Sequence, residues 1–278
     1  MRPLTFLATN DDGIDSPLLA SLVRALQPHG RVIVAGPDGE RSWIGKAISR
    51  HKPVLRATRR DELFGCETWS IDGTPADCVN LALGPLIEGR VDLVVSGINM
   101  GSNAGLPLIL ASGTVGGALE GALAGVHAVA TSIRLGKADF ARLKLPDATL
   151  PAHVAATVDA IAERTAQLCV EIARKPRPRR PIVHNLNFPP ETTRETPLMR
   201  TTAAHVRVGP LWTATSEPGQ YAFTFAVSAD APTAYLTDRA CIDAGRATHC
   251  ILDFARLAVT HGAARADSTA PRTGTRVQ

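Results

Sequence analysis

Short uncharged apolar runs alternate along the first half of the chain with stretches in which apolar residues recur every three or four positions. Apolar runs bounded by Gly, Pro or Asn are typical of buried strands, and the longer spacing is typical of amphipathic helices. The pattern predicts strands at 4–8, 32–35, 69–71, 91–96 and 128–132 and helices at 18–26, 75–83 and 115–124. Because the strands lack alternating polar positions, we expect an α/β fold with a mostly parallel sheet flanked by helices.

The second half of the chain is predicted to be a smaller part built around this core. We assign residues 1–135 to a metal- and phosphate-binding core and 136–261 to a C-terminal part. That part holds a helix, a strand that completes the core, a β-hairpin arm, and a terminal helix and strand. Residues 262–278 are small and polar, which predicts a disordered tail.

Composition is that of a protein with a large core. The 278 residues are 45% hydrophobic and include no run of about 18 uncharged apolar residues, the length that spans a bilayer. No apolar signal segment is evident near the start, so we expect a cytoplasmic protein without membrane partners. The five cysteines are an odd number without C-x-x-C spacing, which indicates buried thiols and not a zinc ribbon or a disulfide framework.

The net charge of +4 raises the question of nucleic-acid binding. The densest basic run, 174–181, holds three prolines and is predicted to be an extended connector. With an aromatic content of 4%, the chain offers few stacking platforms, so no specific nucleic-acid partner is expected.

Oxygen-bearing side chains follow three of the predicted strands. Asp11 and Asp12 come after the first strand, Ser42 lies in the loop 36–45, and Asn99 lies in the loop beginning at Gly97. The carboxyl ends of parallel strands share one crevice, where ligands bind. Adjacent carboxylates repel each other, and this donor set suits Mg²⁺ or Mn²⁺ better than zinc or copper. The alternative is helix capping, although the nearby Asp15 or Ser16 could supply that cap.

A second motif, Ser112-Gly113-Thr114, stands where a loop turns into a predicted helix. Free backbone N–H groups and two hydroxyls at such a position favour an anion. The alternative is that Ser112 or Thr114 only caps the helix. An anion cradle facing a dication site is the layout that phosphoryl transfer requires.

These motifs resemble a known family. The strings 9–13 (TNDDG), 73–78 (GTPADC), 96–99 (SGIN) and 112–116 (SGTVG) are similar to the signature blocks of the SurE family. The members of that family are stationary-phase survival phosphatases that act as 5'/3'-nucleotidases. The resemblance covers residues 4–135 well and is weaker beyond, resting on 184–189 and 237–254.

The resemblance implies a Rossmann-like sheet and hydrolysis of nucleoside monophosphates, with the metal and phosphate sites defined residue by residue. It places one divalent cation per subunit on a ligand set that matches Asp11, Asp12, Ser42 and Asn99. The first two of these also become the candidate catalytic residues. By the same matching, the phosphate would meet Asn103, Ser112, Gly113 and Thr114.

The resemblance also implies a homodimer or homotetramer, because a β-hairpin arm of the family packs on a neighbouring subunit. Segments 211–215 and 221–227, separated by Glu217-Pro218-Gly219, have the alternation and turn residues of such a hairpin. A surface hairpin confined to one monomer is the competing interpretation.

Three departures from the family pattern bear on the substrate. Trp43 stands where relatives usually have Gly, and it could stack on a nucleobase or plug the loop. Lys46 replaces a small or polar residue and is a candidate phosphate contact. Segment 105–111 is apolar where relatives carry an Asp and a Tyr.

Other classes of function remain open at the level of sequence. A divergent member could bind a nucleotide or phosphorylated metabolite without hydrolysing it, and the altered segment 106–111 favours that alternative. A nicotinamide-dependent dehydrogenase fits poorly, because no G-x-G-x-x-G follows the first strand.

Overall fold

The structure is a computed structural model that describes residues 2–145, 149–226, 228, 230–231 and 233–257. The described residues form one mixed sheet of nine strands and a separate two-stranded hairpin. The predicted tail, 262–278, lies outside the described residues.

The strands are β1 (Leu4–Thr9), β2 (Gly30–Pro37), β3 (Ala57–Arg59), β4 (Glu67–Ile71), β5 (Leu93–Met100), β6 (His127–Ile133), β7 (Ile182–Phe188), β8 (Met199–Thr201), β9 (Trp212–Ala214), β10 (Tyr221–Phe223) and β11 (Thr248–Asp253). The α-helices are α1 (Pro17–Leu26), α2 (Pro75–Leu81), α3 (Leu106–Ala111), α4 (Gly113–Leu123), α5 (Lys137–Leu143), α6 (Ala152–Ala173) and α7 (Asp238–Asp243).

The sheet confirms the predicted α/β class. Its strand order is β3-β4-β2-β1-β5-β6-β7-β11-β8, and the run from β4 to β7 is parallel throughout. β3 and β11 pair antiparallel with β4 and β7. The chain leaves β1 first toward β2 on one side and later reaches β5 on the other. Such a reversal of strand order opens a crevice beyond the carboxyl ends of the strands, next to the residues that follow β1.

Strand β1 shows why its centre is apolar. Phe6 and Ala8 belong to the core under α1 and α6, whereas Leu7 points to the opposite face, into the core that includes α2. All three side chains are fully buried. Because each face is covered by helices, apolar side chains are favoured on both faces, and burying a Leu or Phe contributes about 1.5–3 kcal/mol.

Strand β5 is longer than predicted and corrects the placement of one candidate ligand. The sequence predicts a loop from Gly97, but the strand continues to Met100 with a register shift between Ser96 and Asn99. Gly97 has a φ of 133°, a conformation that glycine adopts without strain. Asn99 then pairs with Ser132 on β6, so its side chain is held by a strand and not by a free loop.

Other differences from the predictions concern helices. Helix α2 ends at Leu81 and is followed by a π-helical turn, Ala82–Leu86, in which Pro85 lacks the N–H needed to continue an α-helix. The apolar segment after Gly105, for which no element is predicted, forms the short helix α3.

The C-terminal half extends the same sheet. Residues 174–181 connect α6 to β7 as predicted, and β9 and β10 form the predicted hairpin with strands shorter than 211–215 and 221–227. Residue 227 of the predicted second segment lies outside the described residues. No helix in the described part of the chain is long and apolar enough to cross a membrane. All five cysteines are free, and four of them are buried.

Candidate active site

The two adjacent carboxylates lie just beyond β1, at the reversal of the strand order, and each is held by a different partner. Asp11 Oδ1 accepts a hydrogen bond of 2.7 Å from the hydroxyl of Thr114, at the start of α4. Asp12 Oδ2 accepts a hydrogen bond of 3.0 Å from the backbone N–H of Met100, at the end of β5. Helix α1 begins after Ser16, so the capping alternative for the two carboxylates does not describe their contacts.

Burial makes this carboxylate pair electrostatically costly. It raises the pKa of both Asp11 and Asp12, and the charge of Asp12 raises that of Asp11 further. Asp12 Oδ1 is buried and has no hydrogen-bond partner among the described residues, and the Lys144 ammonium stands 3.7 Å from it. A pair of this kind favours a cation that would let both groups stay ionised.

A cavity of about 640 Å³ opens beside the pair. It brings together five residues from the predicted metal and phosphate sets: Asp11, Ser42, Asn99, Asn103 and Ser112. Asp12 instead lines a smaller hollow, which shares Met100 with this cavity.

Ser42 and Asn99 reach the cavity from different elements. Ser42 is exposed in the loop after β2, and its hydroxyl donates a 2.6 Å hydrogen bond to Glu40. Asn99 uses its amide nitrogen on the Gly101 carbonyl at 2.6 Å. The amide oxygen of Asn99, which is the atom a hard cation would take, is therefore left for the cavity.

The predicted anion cradle lies at the junction of α3 and α4. Ser112 caps α4 by accepting a hydrogen bond of 3.0 Å from the Val115 N–H, and it also lines the cavity. A Cβ at Gly113 would come within 2.8 Å of the Asp11 side chain and 2.9 Å of the Arg41 carbonyl, so this position has no room for a side chain. Ser112 therefore caps α4 and also lines the cavity.

Asn103 is fixed by a network that the sequence does not reveal. Its amide nitrogen lies 3.3 Å from Thr114 Oγ1 and 3.0 Å from Ser132 Oγ. Its backbone N–H donates to Asn187 Oδ1 at 2.7 Å, and its carbonyl accepts from Asn185 at 2.9 Å. The C-terminal strand β7 thereby positions a residue of the N-terminal core.

Charged side chains that sequence analysis missed also line the cavity. The ammonium of Lys144, at the end of α5, pairs with Glu40. Arg134 and Arg239 both bind the carboxylate of Asp243, at 2.5 and 2.8 Å. No sequence signal marks these three cations, because each is brought to the cavity only by tertiary packing.

Lys46 is placed differently from the other candidates. It is not among the described residues that line the cavity, and its ammonium lies 2.5 Å from Glu120 Oε2 on α4. Asn80 donates to the other oxygen of Glu120 at 2.7 Å. The prediction that Lys46 contacts phosphate therefore gains no support from this geometry and stays a prediction.

Comparison with known proteins identifies the family. The family model described as "Survival protein SurE" matches residues 6–209, which is more than half of the chain. The chain belongs to the SurE family. This confirms the resemblance seen in the sequence motifs.

SurE relatives match one half of the chain closely. It is 45% identical over 136 residues to a protein of Prochlorococcus marinus (strain NATL2A) named "5'-nucleotidase SurE", covering 48% of this chain and 51% of that protein. A protein of the same name from Moorella thermoacetica is 48% identical over 138 residues, covering 47% of this chain and 50% of that protein. The chain therefore spans about half the length of the curated relatives that it matches.

A solved SurE structure matches nearly the whole chain. The structure titled "Crystal Structure of Sure Protein from Aquifex aeolicus" superposes with a TM-score of 0.68 at 28% identity. The match covers 90% of this chain and 93% of that chain. The SurE fold thus extends well beyond the half of the chain that these curated relatives match.

Proposed function

We propose that this protein is a divalent-metal-dependent phosphomonoesterase that hydrolyses nucleoside monophosphates to nucleoside and phosphate, a 5'/3'-nucleotidase. The chain's similarity to SurE proteins named 5'-nucleotidase supports the substrate class. One Mg²⁺ or Mn²⁺ per subunit would be held by Asp11, Asp12, Ser42 and Asn99.

The observation that carries the proposal is the burial of the carboxylate pair, in which one oxygen lacks a hydrogen-bond partner among the described residues. Asp12 Oδ1 is buried without a hydrogen-bond partner in the described chain, and burial raises the pKa of both carboxyls. The donors around them are oxygens of carboxylate, hydroxyl and amide groups, which fit a hard dication. Among the described residues, no group of three or more His, Cys, Asp or Glu side chains could hold a metal ion, and the proposed site has two carboxylates.

The cation would supply Lewis acidity, lowering the pKa of a bound water and neutralising charge on the phosphoryl oxygens. The chain's own residues would do the rest. Asn103 and the 112–114 turn would contact the phosphate, with the Ser112 hydroxyl and backbone N–H groups of the turn as donors. Asp11 or Asp12 would orient the attacking water.

The missed cations fit the same reaction. Lys144, Arg134 and Arg239 line the cavity, and Lys144 lies 3.7 Å from Asp12 Oδ1. Guanidinium and ammonium groups stabilise the charge that a phosphoryl group carries through its transfer. These three residues join the proposed phosphate-binding set, and Lys46 has the weakest support in it.

We further propose a homodimer or homotetramer in which the hairpin arm contacts a neighbouring subunit. Trp212 and Tyr221 on this arm are 61% and 63% exposed in the single chain. Large exposed apolar side chains on one arm are typical of a surface that a partner covers.

The test is phosphate release from 5'- and 3'-monophosphates of the four common nucleosides, each with Mn²⁺, with Mg²⁺ and with EDTA. Asp12→Asn should lower kcat by about a hundredfold or more, the order of magnitude seen when one group that stabilises transition-state charge is removed. Asp15→Asn is the matched control, because it removes an exposed carboxylate three residues away.

Metal-dependent release that Asp12→Asn abolishes and Asp15→Asn retains would support the proposal. No release by folded parent protein with any metal would contradict it and favour a nucleotide-binding protein without hydrolytic activity. Equal phosphate release by the parent and by Asp12→Asn would show that the carboxylate pair takes no part in hydrolysis.

A further inference from the structure

Trp43 lies midway along a short bridge between the two ends of the proposed phosphate site. On one side of it, the Arg41 N–H donates a 2.7 Å hydrogen bond to the Asp11 carbonyl. On the other, the Gly45 N–H donates a 2.8 Å hydrogen bond to the Ala111 carbonyl, directly before Ser112. Two residues of chain span at most about 7 Å, so the backbone of Trp43 stays close to both anchors.

The bridge holds Trp43 in an unusual conformation. Its φ is 58°, the left-handed region, and it is the one described non-glycine residue with a positive φ. A bulky L-residue is disfavoured there, so the two anchors, not the local preference of the chain, set the position of the indole.

The indole forms one wall of the cavity together with two rings from the hairpin region. Its centroid lies 5.3 Å from that of Phe223 and 5.2 Å from that of Phe225, with interplanar angles of 72° and 71°. All three side chains line the cavity that Asp11 and Ser112 also line. The edge-on angles mean that neither phenyl ring stacks parallel on the indole, which stays 45% exposed.

We infer that Trp43, Phe223 and Phe225 form an aromatic subsite that takes the nucleobase of a phosphomonoester substrate. This inference rests on the proposed function, since it needs the phosphate to lie at the Asp11 and Ser112 end of the cavity. A flat ring entering the cavity can stack on the indole and meet the edges of the two phenyl rings. The cavity volume of about 640 Å³ is within the usual range for small-ligand sites.

The subsite joins two distant parts of the chain. Trp43 comes from the N-terminal core, whereas the phenyl rings come from the end of β10 and the segment after it. Substrate choice would therefore depend on the hairpin region, and not only on the loops that hold the metal and phosphate.

The test compares two substrates that share a primary phosphate ester, adenosine 5'-monophosphate and ribose 5-phosphate, of which only the first has a base. Trp43→Gly should lower the ratio of their kcat/KM values about tenfold, the size of a typical base–aromatic stacking contribution. Glycine accepts the positive φ, so this substitution relieves strain instead of adding it. Trp43→Phe keeps a ring and should lose less of the ratio.

Trp212→Ala is the matched control for the hairpin. Trp212 packs on Phe223 with centroids 5.6 Å apart but is not among the described residues lining the cavity. The Trp212→Ala variant should keep the ratio of the two kcat/KM values within about twofold of that of the parent. A ratio that is unchanged in Trp43→Gly, or that falls equally in Trp212→Ala, would show that the rings only pack the hairpin on the loop and would overturn the inference.

Calorimetric titration of the same variants separates this inference from the hydrolysis proposal. If the parent hydrolyses neither substrate but binds adenosine 5'-monophosphate about tenfold more tightly than Trp43→Gly does, the subsite stands and the hydrolysis proposal fails. If the parent neither hydrolyses nor binds adenosine 5'-monophosphate, both fail.

Discussion

The hydroxyl of Thr114 donates a 2.7 Å hydrogen bond to the carboxylate of Asp11. The two residues are 103 positions apart in the chain, and the bond ties the loop after β1 to the first turn of α4. Thr114 is fully buried, so no water replaces the bond when it is lost. The proposed metal and phosphate sites are thereby held in one fixed relationship.

Thr114→Val is expected to damage both stability and activity, because it keeps the shape of the side chain and removes its hydroxyl. A hydrogen bond to a charged group contributes about 1.5–3 kcal/mol, which should appear as a loss of unfolding free energy in urea. Phosphate release should fall at least about tenfold as Asp11 loses its orientation. Thr114→Ser keeps the hydroxyl and should stay near the parent; unchanged turnover in Thr114→Val would contradict this role.

Asn187→Ala is expected to loosen Asn103 without touching the cavity. The substitution leaves the backbone N–H of Asn103 buried and without its 2.7 Å bond to Asn187, which costs about 1–3 kcal/mol. Asn103 is the proposed phosphate contact and would shift when this bond is lost. KM for nucleotide should therefore rise, while Mn²⁺ affinity stays within about twofold. Equilibrium unfolding and steady-state kinetics measure the two effects, and an unchanged KM would show that Asn187 serves the fold alone.

A paired His184 and His249 should make the protein sensitive to acid. The rings share a 2.9 Å hydrogen bond, and Arg200 lies 3.3 Å from His249 Nδ1. Because Arg can only donate, His249 Nδ1 accepts, and its other nitrogen donates to His184. Burial, more than the neighbouring charges, lowers the pKa of His184 to about 3 and that of His249 to about 4.

The sign of the effect follows from these low values. In the unfolded chain each ring takes up a proton below about pH 6.5. In the folded protein both rings stay neutral down to about pH 3–4. The contribution of this histidine pair to stability should therefore fall as the pH drops from about 6.5 toward 4. The unfolding free energy of the parent minus that of His184→Gln should fall with the pH over that range. The exposed His51→Gln should keep the parent's slope, and equal slopes in all three proteins would contradict the assignment.

The sequence predicts strands that are buried on both faces. It predicts less well the positions of side chains that depend on tertiary contacts. Strand β1 is evident because Phe6 and Leu7 are buried on opposite faces. Asn99 is singled out as a candidate ligand but is placed in a loop, since a glycine within a bulged strand cannot be told from one that ends a strand.

The rest of the candidate site depends on long-range packing. Asn187 reaches Asn103 across 84 positions, and Phe223 reaches Trp43 from the hairpin. Neither contact leaves a periodic or motif signal in the sequence. The ion pair of Lys46 with Glu120 is of the same kind, since it depends on how the loop lies against α4.

A cation site at the carboxylate pair is tested most directly by calorimetric titration of Mn²⁺ into the parent protein, Asp12→Asn and Asp15→Asn. We expect one Mn²⁺ per chain in the parent and in Asp15→Asn, and an affinity at least about tenfold weaker in Asp12→Asn, because the buried charge that attracts the cation is gone. Equal affinity and stoichiometry in all three proteins would contradict a cation site at the carboxylate pair.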